Sequence, residues 1–181
     1  MDNGASSYRR YLRGDEEAFN EIIKEYFDHL VLFINAYVQD FAAAEDIVVD
    51  VFSDLIVHKS RYNFKSPLKT YLFVLARSRA LNYIKRRKLI PMVDLEEAAH
   101  LGTPSAETLF LENQKKKDLY KALETLEEQQ RTAIYLVYLE ELSCPDAAKV
   151  MGKNVKQVYN LLYRAKEKLR TILGMEELDD E

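Results

Sequence analysis

Cysteine is almost absent: Cys144 stands alone in 181 residues, so no internal disulfide can form. The three histidines, His29, His58 and His100, make no ligand spacing with it, so neither a metal nor a cofactor is expected. Five glycines and four prolines are few for this length, which argues against a turn-rich sheet protein and for long uninterrupted helices. Long apolar runs are missing too. No stretch approaches the roughly 20 apolar residues of a membrane span, and Met1-Asp2-Asn3-Gly4-Ala5-Ser6-Ser7 lacks the basic start and apolar run of a secretory signal. A cytoplasmic protein without membrane insertion is expected.

What is present is a 48% hydrophobic content, ample for the cores of one or two compact domains. Net charge is −4, a value that taken alone disfavours a nucleic-acid partner. The mean hides a segregation of sign. Between Lys59 and Ile90 there is no acidic residue, while Lys59, Arg61, Lys65, Lys69, Arg77, Arg79, Lys85, Arg86, Arg87 and Lys88 are basic. A second basic stretch from Lys149 to Arg170 is interrupted only by Glu167. Acid gathers at Asp46, Asp50 and Asp54, between Glu127 and Glu141, and in the tail 176–181. Two contacts with polyphosphate would produce such a pattern; for either stretch alone a solvated helix face is the preferred reading.

Apolar residues at Phe19, Ile22, Ile23, Tyr26, Phe27, Leu30, Phe33, Ile34 and Tyr37 recur at helical intervals, with Asp15 as the expected cap. A second helix is expected from about Ala42 to Lys59, burying Ile47, Val48, Val51, Phe52, Leu55 and Ile56. Its other face carries Asp46, Asp50 and Asp54, with Val49 and Val57 outside. Exposed valines among carboxylates suggest a protein-docking surface, the alternative being a solvated face. Ser66-Pro67 signals the start of a third helix running to about Lys88. Phe64, Tyr71, Phe73 and Tyr83 lie among its cations, a mixture suited to stacking an unpaired strand, although core packing is expected for at least half of them, Tyr83 especially. From Leu89 to about Thr108 the periodicity fails. The predicted organisation is an all-α protein of two small helical domains: residues 1–90, a linker over 91–111, a C-terminal domain over 112–175, and an acidic tail.

Within the C-terminal domain, Ser143 with Asp146 reads as one capping box and Asn154 with Gln157 as another, so two helices start in quick succession. Small Ala148 permits close approach, and Gly152 suits a left-handed turn. This is a helix-turn-helix pattern, the alternative being a plain helical hairpin. In such a unit the second helix enters the major groove. An inner stripe of Val155, Val158, Leu162, Ala165 and Leu169 leaves Lys156, Gln157, Tyr159, Asn160, Tyr163 and Arg164 for DNA. Gln157 and Asn160 can read adenine, and Arg164 can hold guanine or phosphate.

These segments resemble the extracytoplasmic-function (ECF) sigma factors of bacterial RNA polymerase. Ala44-Glu45-Asp46-Ile47-Val48-Val49-Asp50-Val51-Phe52 resembles their polymerase-binding helix. The run from Lys69 to Arg77, continued by Tyr83-Ile84-Lys85-Arg86-Arg87, is similar to their promoter-melting and minus-ten helix. Residues 122–126, Gln130-Arg131, the helix-turn-helix and the run from Tyr163 to Leu169 resemble their minus-thirty-five domain. The resemblance implies core-polymerase binding through Asp46, Val49, Asp50 and Asp54. It implies promoter contact through Lys65, Lys69, Arg77, Ser78, Lys85, Arg86 and Arg87, and an anti-sigma factor as a further partner. Departures are Val49 in place of a frequent glutamine, Val57 for an aromatic, Ser78 for asparagine, Glu127 for proline, and Cys144-Pro145 for an aromatic-acid pair.

A stand-alone helix-turn-helix regulator accounts for Ser143 to Leu173 but not for the acid-free stretch. An enzyme finds no support: there is no glycine-rich phosphate loop or paired histidine site, and Cys144 has no evident base beside it.

Overall fold

The computed structural model describes residues 4–89, 122–123 and 125–173. The chain falls into two compact units, Met1–Leu101 and Gly102–Glu181, and the expected linker lies outside the described residues. Among the described residues all regular structure is helical, and no helix is long and apolar enough to cross a membrane.

The N-terminal unit contains α1 (Ala5–Leu12), α2 (Glu17–Val38), α3 (Phe41–Val57), a 3₁₀ turn (Lys59–Arg61) and α4 (Leu68–Leu89). α2 is the central element, packing on α1, α3 and α4. Of its expected stripe, Phe19, Ile22, Tyr26, Leu30, Phe33 and Ile34 are buried and Ile23, Phe27 and Tyr37 are half-buried, while Val38 joins the core at the helix end. Each fully buried large apolar side chain contributes about 1.5–3 kcal/mol. Asp15 does accept from an orphan N–H at the helix start, that of Ala18 at 3.3 Å, although regular helix begins only at Glu17. α2 stops at Gln39, whose left-handed backbone (φ 54°) reverses the chain, and Asp40 then caps α3 by accepting from the Ala43 N–H at 3.1 Å. So short a connection makes α2 and α3 antiparallel neighbours.

α3 ends two residues before Lys59, where the 3₁₀ turn takes over, and Ile56 is exposed rather than buried. α4 begins one residue later than Ser66-Pro67 suggests: the Pro67 carbonyl accepts the first helical N–H, from Tyr71. Leu68, Leu72, Ala76 and Ala80 are fully buried, but Phe73 rather than Tyr83 is the aromatic that joins them, its ring 5.0 Å from Phe33. Tyr83 is half-buried because it lies past Ala80, the last α4 residue in the core.

The helix α1 is the element that sequence periodicity did not reveal; its eight residues bury one large side chain, Tyr8. Gly4 precedes it with φ 76°, and a Cβ there would stand 3.0 Å from the Tyr26 ring. Glycine is required at that point both for its backbone and for its size.

In the C-terminal unit Ala122 and Leu123 are helical and close in a turn, with the Thr125 hydroxyl donating to the Ala122 carbonyl at 2.7 Å. α5 (Glu128–Ile134) follows, then a π-helical turn (Tyr135–Leu139), α6 (Cys144–Met151) and α7 (Val155–Leu173). Glu127, at the position where the resemblance leads to a frequent proline, makes a full capping box with Gln130, which supplies another way to start the same helix. After α5 the helix widens into the π turn, where the Glu140 N–H reaches back to the Tyr135 carbonyl.

Candidate nucleic-acid interface

The helix-turn-helix forms as its punctuation predicts. The Ser143 hydroxyl accepts from the Asp146 N–H at 3.2 Å and donates to the Asp146 carboxylate at 2.6 Å. Gly152 is left-handed (φ 63°), and the N–H groups of Gly152 and Lys153 return to the Lys149 and Ala148 carbonyls, closing α6 in a Schellman turn. Asn154 and Gln157 exchange hydrogen bonds with each other's backbone at 2.8 and 2.9 Å, which starts α7 two residues after the turn.

Val158, Leu162 and Ala165 anchor α7 in its unit, whereas Val155 turns out to solvent and Leu169 is half-buried. Lys156, Gln157, Tyr159, Asn160, Tyr163 and Arg164 are all exposed, Tyr163 at 67%. At three- and four-residue spacing, Lys156, Tyr159, Asn160, Tyr163 and Arg164 share one outward face. Gln157 lies at its margin, and its amide oxygen is already engaged in the cap, which leaves only its NH₂ for a base edge. Further along, the Lys168 ammonium ties to the Thr125 carbonyl and Lys166 lies 5.3 Å over the Tyr138 ring. Those two cations are therefore engaged in holding the unit together.

The α4 cations divide into two groups. Lys69, Arg77 and Arg79 lie alongside the core and are half-buried, while Lys85, Arg86 and Arg87 are exposed, as is the uncharged Ser78. From Leu81 onward no described side chain of α4 is fully buried, Tyr83 and Ile84 being half-buried, so the cationic end of the helix runs past the fully buried core residues. Lys65 is exposed in the connection before α4. Tyr71 and Phe64 are half-buried; burial pushes the pKa of the Tyr71 hydroxyl above its ordinary value, with Asp54 adding to the effect.

On α3, Asp46 and Asp50 are exposed, together with Val49 at 54% and Val57 at 71%. Asp54 differs from its expected place on that face. Only 9% of its side chain is accessible, and its carboxylate receives Arg61 at 3.0 Å, Arg79 at 3.3 Å and His58 at 3.6 Å. Arg79 also approaches Asp50, at 3.8 Å, leaving the Asp50 side chain 70% exposed. Asp54 is therefore a clasp between α3, the 3₁₀ turn and α4. Its four-residue spacing from His58 was legible in the sequence; its proximity to Arg79 was not.

Two exposed cationic surfaces and an acidic face with projecting valines thus sit on two helical units, one of them a helix-turn-helix. The family model for Sigma-70 region 2 matches residues 22–90, and that for Sigma-70, region 4 matches residues 116–169, together more than half of the chain. The chain belongs to the sigma-70 family. Its curated relatives place it in the extracytoplasmic-function group. The chain is 24% identical to the ECF RNA polymerase sigma factor SigM of Bacillus subtilis, over 84% of this chain and 93% of that one. It is 27% identical to the ECF RNA polymerase sigma-E factor of Escherichia coli, over 87% of each. Solved sigma factors share the fold. RpoE of Bartonella quintana, crystallised with the anti-sigma factor NepR, superposes with a TM-score of 0.61 at 22% identity, covering 88% of this chain and 98% of that one. CnrH, in complex with the cytosolic domain of CnrY, gives 0.62 at 19% identity, covering 97% of each. The region 2 match contains the α3 face and all of α4, and the region 4 match contains α6, the turn and all six of the exposed α7 residues named above in this sigma factor.

Proposed function

We propose that this sigma factor binds core RNA polymerase through the α3 face formed by Asp46, Val49 and Asp50, with Val57 at its end, and directs initiation at promoters read by its two units. α7 reads duplex DNA upstream through Asn160, Arg164, Tyr159, Tyr163 and Lys156, with Gln157 chiefly shaping the helix start. Lys65 and α4, through Lys69, Arg77, Ser78, Lys85, Arg86 and Arg87, engage the melted segment downstream. Asp54 serves this surface indirectly, by holding the helices that form it. The functional boundaries follow the sequence: residues 1–90 and 112–175 as working domains, 91–111 as a tether. The protein acts in the cytoplasm as a stoichiometric positioning subunit and not as an enzyme. A protein antagonist of the kind seen with RpoE and CnrH is proposed to sequester it.

The observation that supports this reading most strongly is the pairing of an acidic, valine-studded α3 face with two separate cationic surfaces. A stand-alone regulator needs only one of the three. The test is transcription in vitro, adding the full chain to sigma-free core polymerase with upstream fragments from its own genome. Transcripts starting at defined sites only in its presence are expected; no stimulation and no co-elution with core would refute the reading.

A further inference from the structure

The contacts of α1 lead to the connection between α3 and α4 that carries Lys65. Tyr8 is fully buried, and its hydroxyl lies 3.0 Å from the Leu55 carbonyl and 3.3 Å from that of Lys59. It donates at the end of α3, where the helix has run out of its own donors. The Tyr8 ring lies 5.5 Å from Tyr62 and 6.1 Å from Phe64. The neighbouring Arg9 places its guanidinium 4.8 Å over the Phe64 ring, and Lys59 lies 4.6 Å over Tyr11.

Phe64 holds φ at 59°, a left-handed conformation that a bulky residue adopts only where its surroundings impose it. The segment around it is tied on both sides. The Tyr62 hydroxyl donates to the Ser66 carbonyl at 2.7 Å, the Tyr62 ring lies 4.7 Å from Phe64, and the Asn63 side chain accepts from the Lys65 N–H at 3.1 Å. Phe64 is the pivot of this connection, and α1 clamps it from outside.

We propose that Tyr8 and Arg9 are positioning residues for strand recognition: α1 braces the 59–66 connection so that Lys65 meets the unpaired strand in one preset geometry. The proposal rests on the strand-binding reading above. Its physical basis is preorganisation, because a connection already ordered loses less conformational entropy when DNA binds. Without the Arg9 contact, Phe64 can relax from its left-handed conformation, and the residues after it change direction.

The test uses holoenzyme assembled from core polymerase and the full chain, with a promoter found in the transcription assay whose minus-ten segment is unpaired. Affinity for that strand, base preference within it, salt dependence, core affinity and thermal midpoint are measured for Arg9→Ala, Arg9→Lys and Tyr8→Phe, with Lys65→Ala as reference. Arg9→Ala is expected to weaken strand binding about three- to fivefold, the worth of one partly exposed cation–aromatic contact, and to flatten the base preference. Its core affinity, salt dependence and midpoint are expected to stay near wild type. Arg9→Lys keeps the charge but not the planar stack, so it should recover only part of the loss. Tyr8→Phe should flatten base preference in the same way; if it does not fold, Arg9→Ala decides. A loss uniform across bases, with a shallower salt dependence and full rescue by lysine, would mark a direct phosphate contact and overturn the proposal. Unchanged strand binding in Arg9→Ala beside a weakened Lys65→Ala overturns it alone, and no effect in either sinks the strand-surface reading beneath it.

Discussion

Asp54, Asp50 and Asp46 stand at equal spacing on one helix and do different work. Removing Asp54 leaves Arg61 and Arg79 without their shared acceptor, and hydrogen bonds to charged groups of this kind contribute about 1.5–3 kcal/mol. Asp54→Ala is therefore expected to lower the unfolding midpoint in urea by a corresponding amount. Asp46→Ala, on an exposed position, should leave the midpoint unchanged and weaken co-elution with core polymerase. A similar division applies to α7. Asn160→Ala and Arg164→Ala should each cost about 1–3 kcal/mol in recognition of the upstream element, measured by footprinting of holoenzyme, with core binding spared. Gln157→Ala should act mainly through the lost cap, about 1 kcal/mol of unit stability, and Gln157→Glu should restore most of it because glutamate closes the same box. The positions of these residues were legible because caps and helical spacing are local. The split in their roles was not, since it depends on Arg79 reaching Asp54 from another helix and on one amide oxygen of Gln157 being occupied.

Burial pushes the Tyr8 hydroxyl up to about 12, with Tyr11, Tyr71 and Tyr62 adding smaller repulsions. An unfolded tyrosine ionises near 10. The folded state thus holds its proton more tightly, and the stability associated with neutral Tyr8 is complete below about pH 10 and is lost as pH rises through about 12. Unfolding measured from pH 9 upward should show that decline, and Tyr8→Phe should flatten it.

Among the elements, the turn between α6 and α7 is the most completely specified by short-range chemistry. Ser143, Gly152, Asn154 and Gln157 each act within a few residues of themselves, which is why a single sequence was enough to place both helices. Gly152→Ala forces an L side chain into the left-handed region and should cost about 1–2 kcal/mol, read as a lower melting midpoint. The elements that escaped sequence reading have the opposite character. α1 buries one large side chain and gains its place through Tyr8, whose partners lie 47 and 51 residues away. The π turn after α5 accommodates packing around buried Leu136 and Glu140, and the apolar pattern of Tyr135 to Leu139 reads equally well as ordinary helix.

For the molecule as a whole, the segregation of charge matters more than its sum. The free chain, at net charge −4, is expected to bind duplex DNA weakly and with little sequence preference at moderate salt, as measured by anisotropy with a labelled promoter. Tight, specific binding without polymerase would contradict the proposed dependence on core. Fold class and the two cationic surfaces were legible at this scale because composition and periodicity report them directly. Which cations remain available was not: Lys166 and Lys168 are engaged within their own unit, whereas the end of α4 is open simply because the core stops at Ala80.

The aromatic cluster around Tyr8 also gives the protein a built-in optical reporter. The chain has twelve tyrosines and no tryptophan, so its near-ultraviolet spectrum comes from tyrosine and phenylalanine rings alone. Tyr8, Tyr11, Tyr62, Phe64 and Tyr71 lie within 4.7 to 6.1 Å of one another along the cluster, all in the N-terminal unit, while Tyr138, Tyr159 and Tyr163 of the other unit are exposed. Immobilised, asymmetrically packed rings give near-ultraviolet circular dichroism and mobile exposed ones give little. Among the described residues that band therefore comes mainly from the N-terminal unit, with half-buried Tyr135 the ring of the other unit that adds to it, and it allows melting to be followed in the intact chain without a label.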